Sequence, residues 1–401
     1  MNLNKRHKAT LRRCTIICYV FWGYGAVFSQ SPNWDSIRSH ISLQPDDPTE
    51  FDVPFIQPHY NDGWEDGLYI TRDGLHLYST YVPADLISVV NNLTVHPVCP
   101  DFTAYIQEPL LGVDIHTNPW GCDNILHSDI IYASRTDTAE HFVWRPSNLA
   151  TPAYWESGAC GLQNQSGKMD IFVYAKSHSE GQDLFWILDT DQNPIGPGII
   201  MPDSVNSPNF SEDNPHIERI DDSLMVLMLD NHPDAGESAD IFYSISQDNG
   251  ATWSQKRALS SINTPREDIH PHLWNDGSDW WLYFAATDTE DEYERLAIFR
   301  SKQGVANDFN SWGPRERIIG VGQITDGSGT IIALGEPTLT KWGDISFVCA
   351  IMANPCTDST DCCELDPWYM KRKNPITNTV KQTRTIPQSF SLEQNYPNPF
   401  N

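Results

Sequence analysis

Basic residues are scarce in this 401-residue chain, in which 26 Lys and Arg stand against 53 Asp and Glu, for a formal net charge of −27. A surface this acidic repels a phosphate backbone, so nucleic acid is excluded as an expected partner. Cations and neutral ligands such as sugars fit the charge better. The sequence also has no phosphate-binding glycine loop and no Ser-His-Asp or Cys-His signature.

Long hydrophobic runs are missing after residue 28. The one apolar run, from Cys14 to Phe28, follows five basic residues and precedes Ser29-Gln30. This order is typical of a Sec signal peptide, which we predict over residues 1–30, with an uncleaved anchor as the alternative. No membrane span is expected after cleavage.

Zinc-type cysteine spacing is absent, because no CxxC pair meets a second CxxC or an HxxxH. Seven of the nine cysteines follow the predicted signal. In an exported chain they are disulfide candidates, such as Cys99 with Cys122, and Cys356 with Cys362 or Cys363. Their pairing stays open, and an odd number leaves one thiol over.

Helix-period patterns are almost absent, and short aromatic and β-branched strands broken by Asp-Gly turns take their place. An internal repeat opens each time on an acidic residue before a strand: Glu65, Glu156, Glu212, Glu267 and Glu336. The middle intervals match one four-stranded blade each, and the longer ones hold insertions. We predict an all-β fold, a five-bladed β-propeller over residues 31–373. Six blades stay open, because residues 51–58 could supply closing strands.

The end of the chain, Leu392-Glu393-Gln394-Asn395-Tyr396-Pro397-Asn398-Pro399-Phe400-Asn401, closely resembles the opening of the type A C-terminal sorting domain of the type IX secretion system of Bacteroidota. This resemblance implies export by the type IX machinery and a secreted or outer-surface location. We assign residues 374–388 to a linker and residues 389–401 to a truncated start of the sorting domain.

One segment matches S-x-D-x-G-x-T-W, through Ser246, Asp248, Gly250, Thr252 and Trp253. It resembles the Asp-box (BNR repeat) of sialidases and related propellers, which implies a tight hairpin turn with the Trp packed between blades, away from an active face. The first-strand pattern also resembles the PD40 repeats of TolB-like propellers. A sialidase would need an F/Y-R-I-P motif, which this chain lacks.

Acids at the starts of the innermost strands would surround one central funnel. The candidate catalytic residues are Glu65, Asp66, Glu212, Asp213, Asp268 and Glu336. The alternative is structural, with each acid capping a strand start and accepting backbone N–H bonds. Five-bladed hydrolases resembling glycoside hydrolase family 43 place three acids around such a funnel, but no triad maps onto these positions residue by residue.

Three histidines lie beside the third and fourth leading acids. His270 and His272 alternate on a strand, so they are predicted to face one side. The candidate binding residues are His216, His270, His272, Glu156 and Glu267. A divalent metal, Ca²⁺ included, is compatible with them, but satisfied structural histidines are the commoner case, and the sequence identifies no cofactor.

Two functions follow as expectations. The first is a secreted, glycan-directed propeller that binds carbohydrate or hydrolyses glycosides with a pair of funnel carboxylates. The second is a non-catalytic PD40 or TolB-like propeller that mediates protein–protein interaction. Two funnel carboxylates at a hydrolase-like separation favour the first, and a funnel plugged by side chains favours the second.

Overall fold

The computed structural model describes residues 32–60, 63–82, 128–149, 156–164, 166–178, 181–208, 210–232, 238–355 and 362–376. The predicted signal peptide, nearly all of the linker and the sorting segment lie outside these ranges, as do Cys99, Cys122 and Cys356. The described part is all-β, and its one helix is α1 (Trp34–Ser39), capped by the Asn33 side chain on the Ser36 N–H. None of the described helices is long and apolar enough to cross a membrane.

The strands pair in successive antiparallel series, each running outward from a first strand. Two short strands precede them, β1 (Ile41–Ser42) and β2 (Phe55–Ile56). The first series contains β3 (Trp64–Ile70), β4 (His76–Val82), β5 (Asp129–Ser134) and β6 (Val143–Pro146), and the second contains β7 (Glu156–Gln163), β8 (Met169–His178), β9 (Gly181–Thr190) and β10 (Ile199–Ile200).

The third series contains β11 (Ser211–Arg219), β12 (Met225–His232), β13 (Asp240–Ser246) and β14 (Arg257–Ala258), and the fourth contains β15 (Asp268–Asn275), β16 (Trp280–Thr287), β17 (Leu296–Lys302) and β18 (Glu316–Ile319). The last comprises β20 (Gly329–Leu339), β21 (Ile345–Ala353) and β22 (Cys363–Met370), with β19 (Gln323–Ile324) before it paired to β1. The predicted strands over Trp280–Ala285 and Ile345–Ile351 fall within β16 and β21, and the one predicted over Leu224–Leu229 begins one residue before β12.

The first strands of the series contact one another in a closed ring, in the order β3, β7, β11, β15, β20 and back to β3. Four-stranded antiparallel sheets arranged around such a ring form a β-propeller. Within the described residues β2 pairs with β22, so residues 55–56 supply the fourth strand of the last series. A blade count for the whole chain stays a prediction.

The N-terminal segment is fastened to the last series by a buried ion cluster. Arg38 of α1 donates to Glu364 at 2.6 Å and to Asp366 at 2.9 Å, both on β22. The three side chains are 6%, 2% and 1% exposed. Charges this deep need partners, so the cluster fixes α1 to the sheet that closes the ring.

Apolar side chains fill the space between neighbouring sheets, where Phe172, Tyr174 and Met225 belong to one buried cluster. The segment Ser246–Trp253 forms the tight turn expected of it. Ser246 donates to Asp248, and the Thr252 N–H and hydroxyl both donate to the Asp248 carboxylate. The Trp253 ring packs against Trp186 of the neighbouring sheet, with centroids 6.4 Å apart.

Cys362 is disulfide-bonded, whereas Cys160 and Cys349 are buried free thiols. The expectation that these two belong to a disulfide framework is therefore wrong. Both sit in apolar cores, and burial raises their thiol pKa values, so they behave as small hydrophobic residues.

Candidate active site

Each first strand carries a β-bulge at the same height of the ring. The register shifts lie between Asp66 and Tyr69, Ser157 and Cys160, Asp213 and His216, Ile269 and His272, and Gly335 and Thr338. One residue inside each bulge has a positive φ, and we call these five the bulge residues: Gly67, Gly158, Asn214, His270 and Glu336.

The bulges correct the sequence alignment of the repeats. Counted back two residues from each bulge residue, the matching acids are Glu65, Glu156, Glu212 and Asp268, while the fifth strand has Leu334 there. Glu267 is therefore not the fourth leading acid, because Asp268 occupies that position. Glu336 is itself a bulge residue and has no counterpart among the other leading acids.

Four of these acids have structural partners, and two of them, Glu65 and Asp268, accept a backbone N–H as the alternative interpretation expected. Glu65 accepts the Tyr60 N–H, and Asp268 accepts the Thr264 N–H and the Arg315 guanidinium. Glu212 accepts from Lys256 and Ser207. Burial raises the pKa of Glu212 to about 7 despite the ammonium beside it. Glu156, which is 1% exposed, lies 3.9 Å from Lys176 Nζ.

Asp66 and Asp213, one position after Glu65 and Glu212, are partly exposed at the mouth, the end of the channel where the first strands begin. Asp66, Asp213, Asp230, His270 and Glu336 meet there and form what we call the channel cluster. Asp230, on β12, was missed by the sequence analysis. The sequence does carry one signal for it, because an Asp directly follows the apolar run of β12. A carboxylate buried at such a position needs hydrogen-bond partners.

Asp66 and Glu336 are neighbouring carboxyls whose pKa values shift in opposite directions. Burial and the Asp66 charge raise the pKa of Glu336 well above its ordinary value. Burial opposes ionisation of Asp66 too, but hydrogen bonds from Glu336, the Trp64 indole and the Gly67 N–H lower its pKa. Asp66 is therefore the ionised member.

Asp213 is the opposite case. Burial and the nearby Asp66 charge raise its pKa to about 7, although the Asn214 N–H donates to it at 2.8 Å. Asp66 and Asp213 are both partly exposed at the mouth, whereas Glu336 and Asp230 are buried. Near neutral pH the mouth therefore presents Asp66 as a charged carboxylate and Asp213 as a carboxyl close to its titration midpoint.

Below the cluster, side chains fill the channel. The next layer holds Tyr69, Cys160, His216, His272 and Thr338, with the two imidazole centroids 4.1 Å apart. Arg72, which follows β3, crosses beneath them to Glu218 and to the Leu273 carbonyl at 3.0 Å. The cavity at this centre has a volume of about 30 Å³, room for one or two waters. The site is therefore a pocket with one mouth.

All three histidines line this cavity, and two of them, His270 and His272, accept backbone N–H groups. His270 Nδ1 accepts the Glu336 N–H and His272 Nε2 accepts the Leu339 N–H, both at 3.1 Å. Burial lowers the pKa of His270 to about 4. Within the described ranges no group of three or more His, Cys, Asp or Glu residues is arranged to hold a metal ion. Both imidazoles are therefore structural histidines, each with a ring nitrogen paired to a backbone N–H.

We expect Gly158→Ala to cost about 3 kcal/mol of unfolding free energy or more. A Cβ there would lie 2.5 Å from Asp213 Oδ1 and 2.9 Å from the Asn214 nitrogen, at a φ of +46°. Gly167→Ala is the matched control, because Gly167 has a φ of +79° and open space around it; strain alone predicts about 1 kcal/mol. Urea unfolding of both variants checks this, and equal losses would contradict it.

We expect the free energy of unfolding to decrease as the pH rises, because Asp213 loses its proton. Its folded pKa of about 7 lies above the ordinary 3.8, so the folded state keeps a proton that the unfolded chain releases. This stabilisation is fully present below pH 3.8 and is lost as the pH rises through 7. Asp213→Asn removes it, so the wild type should lose about 2–4 kcal/mol relative to the variant between pH 4 and 8. Urea unfolding at both pH values measures this, and a pH-independent difference would refute it.

Comparison with known proteins adds the following. No family model matches the sequence, and no curated protein matches it. Among solved structures, the catalytic domain of Coprinopsis cinerea GH62 α-L-arabinofuranosidase aligns over 84% of this chain and 98% of its own, at 9% identity and a TM-score of 0.47.

Two further solved structures align similarly. The α-L-arabinofuranosidase PaAbf62A from Podospora anserina covers 84% of this chain and 98% of its own, at 8% identity and a TM-score of 0.44. A protein of unknown function from Dyadobacter fermentans covers 76% and 75%, at 11% identity and a TM-score of 0.43. Likenesses this remote do not bear on what this chain does.

Proposed function

We propose that the protein is a glycan-directed propeller that hydrolyses glycosidic bonds at the mouth of its acidic channel. One observation carries this proposal: two partly exposed carboxyls stand at the mouth in environments that shift their pKa values apart, downward for Asp66 and upward to about 7 for Asp213. Glycoside hydrolysis needs two carboxyls in opposite protonation states, and environments that push two pKa values apart assign the acid and the base.

In this scheme Asp213 gives its proton to the leaving oxygen as the glycosidic C–O bond breaks. Asp66 acts as the base that takes a proton from the attacking water, or as the nucleophile. Glu336, through its hydrogen bond to Asp66, lowers the pKa of Asp66 and so keeps its charge. Because the cavity of about 30 Å³ is smaller than a sugar ring, the bond to be cleaved is presented at the mouth.

The same small volume favours a second candidate, a non-catalytic propeller that binds a partner across its mouth, as PD40 or TolB-like propellers do. A screen of neutral polysaccharides and oligosaccharides separates the two. New reducing ends after incubation with the protein support hydrolysis, and binding without new ends supports a lectin-like role. Silence in both assays would overturn the glycan proposal.

We further propose that the chain is exported by a Sec signal peptide and the type IX machinery and acts at the cell surface or beyond it. The basic start with its apolar run supports the first step, and the LEQNYPNPFN segment supports the second. Fractionation of cells that express the chain with and without residues 1–30 tests this. Equal retention inside the cell would refute export.

A further inference from the structure

Asp230 stands behind the two mouth carboxyls without reaching the surface. It lies on β12 directly opposite Asp213 in the register of β11 and β12, and it is 0% exposed. A carboxyl group buried so completely beside other acids is costly to keep, and burial with the nearby Asp213 and Asp66 raises its pKa well above the ordinary value.

The Asp230 carboxyl group holds two bulge residues from neighbouring sheets. Its Oδ1 accepts the His270 N–H at 2.8 Å, and its Oδ2 accepts from Asn214 Nδ2 at 3.0 Å. Asn214 has a φ of 44° and His270 a φ of 58°. Residues with a Cβ rarely adopt this left-handed region, and they persist there only where surrounding bonds fix them.

Asn214 and His270 each contact one acid of the channel cluster. The Asn214 N–H donates to Asp213 Oδ1 at 2.8 Å. His270 Nδ1 accepts the Glu336 N–H at 3.1 Å, and its Nε2 lies 3.9 Å from Glu336 Oε1. One carboxyl on a second strand is therefore linked to acids on two first strands, those of the third and the last series.

We propose that Asp230 is a positioning residue that fixes Asp213 and Glu336 at the mouth through Asn214 and His270. The expected effect of Asp230 on turnover rests on the proposed function. The claim that Asp230 fixes the two bulge residues does not depend on it. Asp230 touches the bulge residues rather than the mouth, so it acts through them and makes no contact with substrate.

Amide hydrogen exchange followed by mass spectrometry tests the structural half without a substrate. In Asp230→Ala we expect the peptides that contain Asn214, His270 and Glu336 to exchange at least about tenfold faster. Asp288→Ala is the matched control, since Asp288 is also buried, 3% exposed, and accepts from Arg317 outside the channel cluster. Equal exchange at Glu336 in both variants would overturn the proposal.

Asn214→Ala separates the two connections. It removes the side-chain amide that donates to Asp230 Oδ2 but leaves the bond from the His270 N–H to Asp230 Oδ1. The peptide that contains residue 214 should therefore exchange faster while the Glu336 peptide stays protected. Loss of protection at both sites, or at neither, would contradict the two-armed arrangement.

Turnover tests the functional half. On a glycan that the wild type cleaves, we expect Asp230→Ala to lower kcat about 10²-fold with KM within about threefold, because small misplacements of reacting groups have effects of this size. Asp230→Asn should recover part of the loss. A KM change with kcat unaltered would refute positioning. If the wild type cleaves no glycan, the proposed function fails, and the exchange experiment still decides whether Asp230 fixes the bulge residues.

Discussion

Asp66→Asn should lower the rate of glycan hydrolysis about 10³-fold, the scale at which a general base or nucleophile contributes. The amide has nearly the same shape, but it carries no charge and cannot take the proton of an attacking water. The change also removes the charge that raises the pKa of Asp213. We therefore expect the residual activity of the variant to decline on the alkaline side of its pH profile at a lower pH than that of the wild type.

Asp213→Asn should cause a loss of similar size for the opposite reason, because an amide cannot protonate a leaving oxygen. Aryl glycosides with good leaving groups need little protonation, so they should recover activity in Asp213→Asn but not in Asp66→Asn. Glu140→Gln, an exposed carboxyl between β5 and β6, is the control for a changed charge. Activity within threefold of the wild type in both Asn variants would remove these acids from the mechanism.

Arg38→Ala should lower the free energy of unfolding by about 3–5 kcal/mol, the range for breaking a buried ion pair. The variant leaves Glu364 and Asp366 with 2% and 1% of their side chains exposed and without the guanidinium between them. Because α1 is fastened to β22 through this cluster, the loss should appear as a lower melting temperature of the whole propeller.

Arg266→Ala is the matched control, because Arg266 pairs with Glu294 at the surface, with side chains 43% and 50% exposed. Solvent screens such a pair, so we expect a change below about 1 kcal/mol. Thermal and urea unfolding of both variants make the comparison. Equal losses would show that burial of the Arg38 cluster does not stabilise the propeller.

The sequence predicted the sheets well because their signals are local. Short apolar runs between polar turn residues locate β12, β16 and β21 without reference to the rest of the chain. The sequence offered a closing strand within residues 51–58 only as part of an alternative with six blades, whereas residues 55–56 pair with the last series. Whether a short strand at the chain start adds a blade or completes the last one depends on ring closure.

The repeat alignment failed where the backbone leaves strand geometry. A bulge adds a residue to one strand, so counting from acid to acid matched Glu267 and Glu336 to Glu65, although Asp268 is the true counterpart of Glu65. A positive φ at a histidine and a glutamate has no sequence signature. For this reason the sequence analysis placed the leading acids in one ring around the funnel. Glu65, Glu156 and Glu212 have structural partners instead, and the channel cluster lies beside them.

The protonation states of the channel cluster were beyond sequence analysis for a different reason. Asp66, Asp213 and Glu336 come from three sheets, and their pKa values depend on the burial and mutual distance that the closed ring creates. The sequence supplied the candidates. Only the fold shows that Glu65 and Glu212 hold structural partners while Asp66 and Asp213 face the mouth.

The most direct test is a ¹³C NMR titration of the Asp and Glu carboxyl carbons in the full chain, with Asp66→Asn and Asp213→Asn to assign the two signals. We expect Asp213 to titrate near pH 7 and Asp66 below its ordinary 3.8. In Asp66→Asn the pKa of Asp213 should fall. If both carboxyls titrate near 4 and ignore each other's replacement, the mouth holds no acid and base pair and the proposed hydrolysis is contradicted.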